Sequence, residues 1–593
     1  MSDHYDAYCA VDPLFFDALT TEPEHDFAVA RRPVPDGWRR EVLDDWLSYS
    51  PVDLILPKQG WKVHVSACLD NAVRVLETVW DYCLRHQLAF KFLRSPRVLL
   101  MRNAKYAGRG SSGKFITVYP RDDAETEAVC HGLDALLAGE PGPYILSDVR
   151  WGAGPVYVRY GGFASRFCID AGQVVPAIEN PDGVLVPDHR EPVFSVPPWV
   201  SVPDFLAPHV AARGATSTTE LPYEIENVLH FSNAGGLYLA KDRRDGTTVV
   251  LKEARPYAGL DGTGADAVKR LERERLMLER LAGLPQVPRV HDSFPLGEHR
   301  FLALEYIDGT PLNQLVVRRY PLIDNSATEA DFADYTSWAL DVYRKVERAV
   351  AAIHDRGVVY GDLHLFNVLV RPDGEVALVD FEVAAPVGEP NPPALRNQGF
   401  AAPRRLTGPD VDHYALACLR LALFAPLTAL LRLAPGKAAH LADIVGEHFP
   451  LPAGFLAEAV ERIADGAAPV RPRLTPGPSG WRAAREQLTT AILASATPGR
   501  DDRLFPGDIA QFRPGGGVGL GYGAAGVLYA LSLTGAGRFP EYEEWLVRRI
   551  KEPAAGTRCG FYDGLHGVAY VLEHLGRRAE ALDVIDRCLR EPW

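Results

Sequence analysis

Two periods of apolar and polar residues run along this chain, and the switches between them mark its parts. In Gly60-Trp61-Lys62-Val63-His64-Val65-Ser66 the alternation is strict. A strand there puts Lys62, His64 and Ser66 on one face and Trp61, Val63 and Val65 on the other. Helical spacing follows over Leu69 to Leu88, and Asp122-Asp123-Ala124-Glu125 opens a second helix after the strand 114–120. Strands are predicted at 225–229, 237–240, 248–252 and 301–307, with a helix over 266–281 and another over 339–353. Val368-Leu369-Val370 and Val376-Ala377-Leu378-Val379 form a hairpin turning at Pro372-Asp373-Gly374. Near the end, Gly523 and Gly526 recur as Gly564 and Gly567, each pair leading into an apolar helix, the signal of a helical repeat.

Chemistry gathers around the hairpin. Asp362 can accept the proton of an attacking hydroxyl. Asn367 and Asp380 are hard oxygen ligands suited to Mg2+ between phosphates. Lys252 ends a strand, the position that pairs with nucleotide phosphates. Glu274 lies three and four residues from the packed positions Leu271 and Leu278 and is its expected partner, with Glu272 second. At Gly235 and Gly236 small residues let backbone N–H groups approach phosphates. The Asp-x(4)-Asn and Asp-Phe pattern resembles the catalytic and metal-binding loops of protein kinases. That resemblance implies a bilobal protein-kinase-like domain using ATP or GTP with Mg2+. Its hinge would run through Glu305 and Ile307, and Asp412 would brace the catalytic loop. Three departures stand out: Tyr360-Gly361 replaces His-Arg, Glu382 replaces the glycine after Asp-Phe, and Arg404 stands where a glutamate is usual. None removes a reacting group, so an active kinase not governed by activation-loop phosphorylation is expected.

Upstream, Lys62 and His64 neighbour Lys91 and a basic run of Arg97, Arg102, Lys105, Arg109 and Lys114. Arginine and lysine hold phosphate, histidine protonates a leaving oxygen, and a buried lysine among cations becomes a base. Such groups suit β-elimination of phosphate from phosphoserine or phosphothreonine without a metal. These segments, with Val156 to Phe163, resemble the phosphothreonine lyases and, more closely, the lyase domain of class III and IV lanthipeptide synthetases. The resemblance implies His64 as general acid and Lys91 as base, with Lys62 stabilising the enolate or phosphate. Arg159, Lys105 and Arg109 would contact phosphate. Either Lys62 or Lys91 fits the base.

Composition narrows the setting. The chain has 593 residues, 47% hydrophobic and 24% charged, with a net charge of −14 that argues against nucleic acid as a partner. Eight cysteines without a Cys-x-x-Cys pair, no signal pattern and no apolar run long enough to span a bilayer suggest a cytoplasmic, non-membrane protein. The expected architecture is multidomain α+β. A lyase-like α+β domain covers 1–215, ending in a Pro-rich linker, and a kinase-like domain covers 216–490. A linker and the start of an α/α-barrel lanthionine cyclase-like domain cover 491–593. That last region is too short to close a barrel, so a truncated or partial synthetase without zinc in this stretch is expected. In this order the regions resemble a class III lanthipeptide synthetase that dehydrates Ser and Thr of a leader-bearing ribosomal precursor peptide. The alternatives are a Ser/Thr kinase with an N-terminal phosphoprotein-binding domain, and a scaffold on a dead kinase.

Overall fold

Strict alternation suits β3 (Gln59–Val65) to an interior place in an antiparallel sheet with β1 (Trp38–Leu43), β2 (Trp46–Pro51), β4 (Ala89–Leu93), β5 (Ile116–Tyr119), β6 (Val149–Trp151) and β7 (Val156–Gly162). The strand order is β1-β2-β4-β5-β3-β7-β6. This computed structural model describes residues 8, 12, 14–17, 25–43, 45–171, 173–215, 221–389, 397–470, 477–554 and 556–590. They fall into two units, one within 22–470 and the other combining 1–21 with 471–593.

The apolar face of the sheet carries Tyr49, Trp61, Val63, Phe90 and Phe92, all buried. It is covered by α1 (Ala72–His86) and α3 (Asp123–Leu136); α2 (Pro96–Arg102) follows β4. Apolar positions three and four apart (Ala72, Val75, Leu76, Val79, Trp80, Cys83) bring Trp80 edge-on to Tyr49 and Phe90, with centroids 4.8 and 5.5 Å away. Asp122 caps α3 by accepting from Glu125 N. The opposite face is left for polar side chains. A small sheet of β8 (Phe167–Asp170), β9 (Gln173–Glu179) and β10 (Leu185–Pro187) stands beside β7. Residues 207–215, expected to be linker, instead form α4 (Ala207–Ala215) against β6. Arg213 anchors it on the carbonyls of Leu146 and Asp148, which a short Ala/Gly-rich sequence does not advertise.

Still in the same unit, β11 (Tyr223–Ser232), β12 (Gly235–Asp242), β13 (Thr248–Ala254), β14 (Val290–Leu296) and β15 (His299–Glu305) form a sheet in the order β11-β12-β13-β15-β14. Helix α5 (Ala267–Arg280) packs on it, capped by Asp266. The helical part contains α6 (Leu312–Arg319), α7 (Glu329–Asp355), α8 (Pro409–Ala422), α9 (Lys437–His448) and α10 (Ala457–Ala464). Short strands β16 (Thr310–Pro311), β17 (Val358–Val359), β18 (Val368–Val370), β19 (Val376–Leu378) and β20 (Ala385–Pro386) lie among them. Helix α7 starts well before the expected Ala339, because Thr328 and Asp331 make a capping box. The hairpin β18–β19 turns where expected, with Gly374 at φ +81°.

The second unit is helical: α11 (Pro478–Ala494), α12 (Ala524–Leu533), α13 (Pro540–Lys551), α14 (Leu565–His574) and α15 (Arg578–Cys588). Gly523 and Gly564 cap α12 and α14. A Cβ on Gly526 or Gly567 would lie 2.0 or 1.8 Å from a carbonyl oxygen, so both repeats require glycine for the same close approach. In this unit Asp17 accepts hydrogen bonds from Arg500 at 2.8 and 2.9 Å. Among the described residues no helix is long and apolar enough to cross a membrane.

Candidate active sites

In the kinase-like domain, the strand end and the helix face bring Lys252 to 2.7 Å from Glu274 Oε2 and 2.6 Å from Asp380 Oδ1. Glu272, the second choice, pairs with Arg275 on the helix surface. Burial works against the Lys252 charge, but Asp380 and Glu274 outweigh it and hold its pKa above the ordinary range. Glu274 Oε1 also accepts from Phe381 N at 3.2 Å, so helix α5 and the Asp-Phe segment are tied together. Asp380 sits at φ +62°, which turns its carboxylate toward Lys252.

The loop that carries Asp362 is fixed from below. Asp412, fully buried, accepts from Tyr360 N and Gly361 N at 2.7 Å each and lies 2.8 Å from His354 Nε2. Gly361 has φ +82°, a conformation that favours glycine and that the usual arginine would strain. Tyr360 donates to Val379 O at 2.5 Å and packs on Phe381, tying the loop to the Asp-Phe segment. Asn367 Nδ2 donates to Asp362 O and Oδ2 at 3.0 and 3.1 Å, which turns its amide oxygen away from that loop. The donors Asn367 and Asp380 are hard oxygens and fit Mg2+.

Other placements differ from the sequence reading. Gly236 N donates to Glu253 Oε2 at 2.9 Å, so in this conformation it is engaged within the sheet rather than offered to a phosphate. Gly235 at φ +153° lies against Glu253 O, where a Cβ would come within 2.1 Å. At the hinge, Glu305 N donates to Arg289 O, and Ile307 is buried.

The lyase-like site follows from sheet register. Lys91 pairs with Thr117, Thr117 with His64, and Lys62 with Arg159, so Lys91, His64, Lys62 and Arg159 share the polar face. His64 Nδ1 lies 2.5 Å from Asp148 Oδ2, both buried. Burial outweighs Asp148 and lowers the His64 pKa to about 4, leaving a neutral ring whose Nδ1–H faces the carboxylate. Burial would raise Asp148, but His64 and Lys114 hold it below the usual carboxylate range. Arg159 donates to Asp188 Oδ1 and His189 O at 2.5 and 2.7 Å, and Lys62 donates to Gly162 O at 2.8 Å. Burial, against the pull of Asp188, puts the Lys62 pKa well below normal. Lys91 is lowered to about 8, first by burial and then by Arg190, Lys114 and Arg102. Among the described residues it has no carboxylate partner; its ammonium stands 4.6 Å from the Trp46 ring centre.

Lys105 and Arg109, expected in this anion pocket, are elsewhere. Lys105 pairs with Glu382 and stands 3.9 Å from Asp380. Arg109 lies 4.3 Å over the ring of Phe231 on β11. The loop after α2 leaves the lyase-like sheet and runs along the kinase-like one, so these cations point to the other domain.

Comparison with known proteins decides the family. Residues 26–216 match the family described as RamC, N-terminal domain, and residues 223–432 match the protein kinase domain. A probable SapB synthase of Streptomyces coelicolor is 52% identical, covering 99% of this chain and 68% of that protein. The chain belongs to the class III lanthipeptide synthetases. Its kinase region is also similar to the serine/threonine-protein kinases PknD and PknA of Mycobacterium tuberculosis. PknD is 29% identical over 33% of this chain and 29% of its own length. PknA is 26% identical over 47% of this chain and 70% of its own length.

The structure also brings to these sites groups that sequence reasoning did not single out. Asp148, Asp188 and Arg190 come from loops flanking β6 and β10, with no motif around them. Lys114, 3.7 Å from Asp148, was visible only as one member of the basic run. His364 Nε2 lies 3.5 Å from Asp362 Oδ2, and its place two residues after that aspartate was the available signal.

Proposed function

We propose that this synthetase phosphorylates Ser and Thr of a leader-bearing precursor peptide with ATP or GTP, then eliminates the phosphate to leave dehydroalanine or dehydrobutyrine. Asp362 accepts the hydroxyl proton. Lys252, held by Glu274, faces the nucleotide phosphates. Asn367 and Asp380 would hold Mg2+, which would supply charge neutralisation for the transferred group. In the second step Lys91 takes the Cα proton, the Cα=Cβ bond forms and the Cβ–O bond breaks. The departing phosphate keeps the bonding electrons, and His64 gives it a proton. An arriving phosphate dianion opposes the burial that keeps His64 neutral and brings it into its acid form. Lys62 and Arg159 balance the developing negative charge. The C-terminal helices start a cyclase-like helical fold, and the reaction belongs to the cytoplasm, where thiols stay reduced.

The observation that carries this reading is the common face of Lys91, His64, Lys62 and Arg159, in one unit with the Lys252–Glu274–Asp380 cluster. The test is the mass of a precursor peptide after incubation with nucleotide and Mg2+. Wild type should give water loss, His64→Ala phosphopeptide, and Asp362→Ala unchanged peptide. Phosphate retained by wild type would leave a kinase with a phosphoprotein-binding domain.

A further inference from the structure

The segment after α2 belongs to the lyase-like domain by sequence, yet its contacts are with the kinase-like centre. Asn233, at the turn between β11 and β12, is fully buried. Its Nδ2 donates to Asn103 O and Ala104 O at 3.1 Å, and its backbone N donates to Lys105 O at 3.0 Å. On the other side, Leu260 N donates to Asn103 O and Lys105 N to Leu260 O. Residues 103–105 therefore join the phosphate-side turn to the connector that leads into α5.

From there the Lys105 side chain enters the kinase-like site. Its side chain is 15% exposed, its ammonium pairs with Glu382, and Asp380 Oδ2 is 3.9 Å away. Glu382 is the residue that replaces glycine after Asp-Phe. It is buried and is also held by Arg270 of α5 at 3.1 Å. One carboxylate thus takes a cation from the kinase helix and a cation from the neighbouring domain. Without Lys105, the buried Glu382 carboxylate would keep only Arg270 as its cation, beside the partly exposed carboxylate of Asp380, and like charges so placed push each other apart.

We propose that Lys105 is a positioning residue of the kinase reaction, supplied by the lyase-like domain, which holds Glu382 and through it the Asp380 carboxylate in place for the metal–nucleotide. The inference rests on the two-activity reading above and adds to it that the kinase centre is complete only when docked on its neighbour. The ion pair does in this chain what a phosphorylated activation segment does in regulated kinases, with no covalent switch.

The test uses the full chain with Lys105→Met, Lys105→Arg, Glu382→Gln and the Lys105→Met/Glu382→Gln double variant. Three quantities are measured: the phosphorylation rate against nucleotide and Mg2+ concentration, elimination from a synthetic phosphopeptide without nucleotide, and the unfolding midpoint. Supporting residues of metal sites are typically worth about 10- to 100-fold in affinity or activity. Lys105→Met should raise the KM for Mg2+-nucleotide or lower kcat by about that factor, and keep elimination within about twofold. Lys105→Arg should restore most of the loss, and the double variant should lose much less than the product of the singles. Phosphorylation unchanged in Lys105→Met, or elimination lost in its place, overturns the inference. So does a loss that Lys105→Arg does not rescue at an unchanged unfolding midpoint. A wild type that never phosphorylates the peptide overturns the two-activity reading itself, a different result from an active wild type matched by Lys105→Met.

Discussion

The pH dependence of elimination follows from the surroundings of Lys91. Its pKa falls from an ordinary 10.5 to about 8, first because it is buried and then because Arg190, Lys114 and Arg102 oppose its charge. At pH 7 an unshifted lysine is neutral in about one molecule in 3,000, and one titrating near 8 in about one in ten, a gain worth about 3.4 kcal/mol. If neutral Lys91 takes the Cα proton and protonated His64, titrating near 4 in the free enzyme, gives one to the phosphate, kcat/KM should stay level between about pH 6 and 8, where the two limbs offset each other, and fall about tenfold per pH unit above about 8, because kcat/KM reports the free enzyme. Below about pH 6 the second ionisation of the phosphopeptide adds its own bend. Arg190→Gln removes the largest charge contribution after burial, so Lys91 titrates higher and the falling limb moves to higher pH. The assay is phosphate release from a synthetic phosphoserine peptide without nucleotide. A rate still climbing at about pH 10 would refute the shifted-lysine argument. An undiminished rate in Lys91→Met would transfer the base to Lys62.

Three further outcomes are expected. Asp148→Asn removes the carboxylate that orients His64 and draws its proton. Elimination should fall at least about tenfold with phosphorylation intact, measured on the two substrates separately. Asp412→Ala leaves Tyr360 N and Gly361 N buried without an acceptor, at about 1–3 kcal/mol each, so the unfolding midpoint should drop and phosphorylation should be lost. Gly567→Ala places a Cβ 1.8 Å from Phe561 O, and should destabilise the C-terminal unit by about 1–3 kcal/mol in denaturant titration.

What could be read from the sequence was mostly local. Lys252 and Glu274 meet because a strand end and a helix face can each be found from apolar spacing. Asp362, Asn367 and Asp380 flank one short hairpin, so their neighbourhood was written in about twenty residues of chain. The row of Lys62 and His64 was readable from alternation alone. The basic run misled because it was read as one pocket. Arg102 pairs with Asp45, Lys105 with Glu382 and Arg109 with the Phe231 ring, partners far away in sequence. A run of cations reports charge but not direction, and direction depends on the loop path after α2. Asp148 and Asp188 lie on loops without a motif, and only sheet register brings them to His64 and Arg159.

The two-site account turns on whether elimination is independent of the kinase centre. The most direct measurement gives a synthetic phosphopeptide to the full-length Asp362→Asn variant, without nucleotide, and follows its mass. Loss of phosphate to the dehydro residue at the wild-type rate is the expected result, with the same peptide left intact by His64→Ala. Phosphopeptide that stays intact with Asp362→Asn while wild type eliminates it would contradict the account, because the Lys91–His64–Lys62 face would then not be a separate centre.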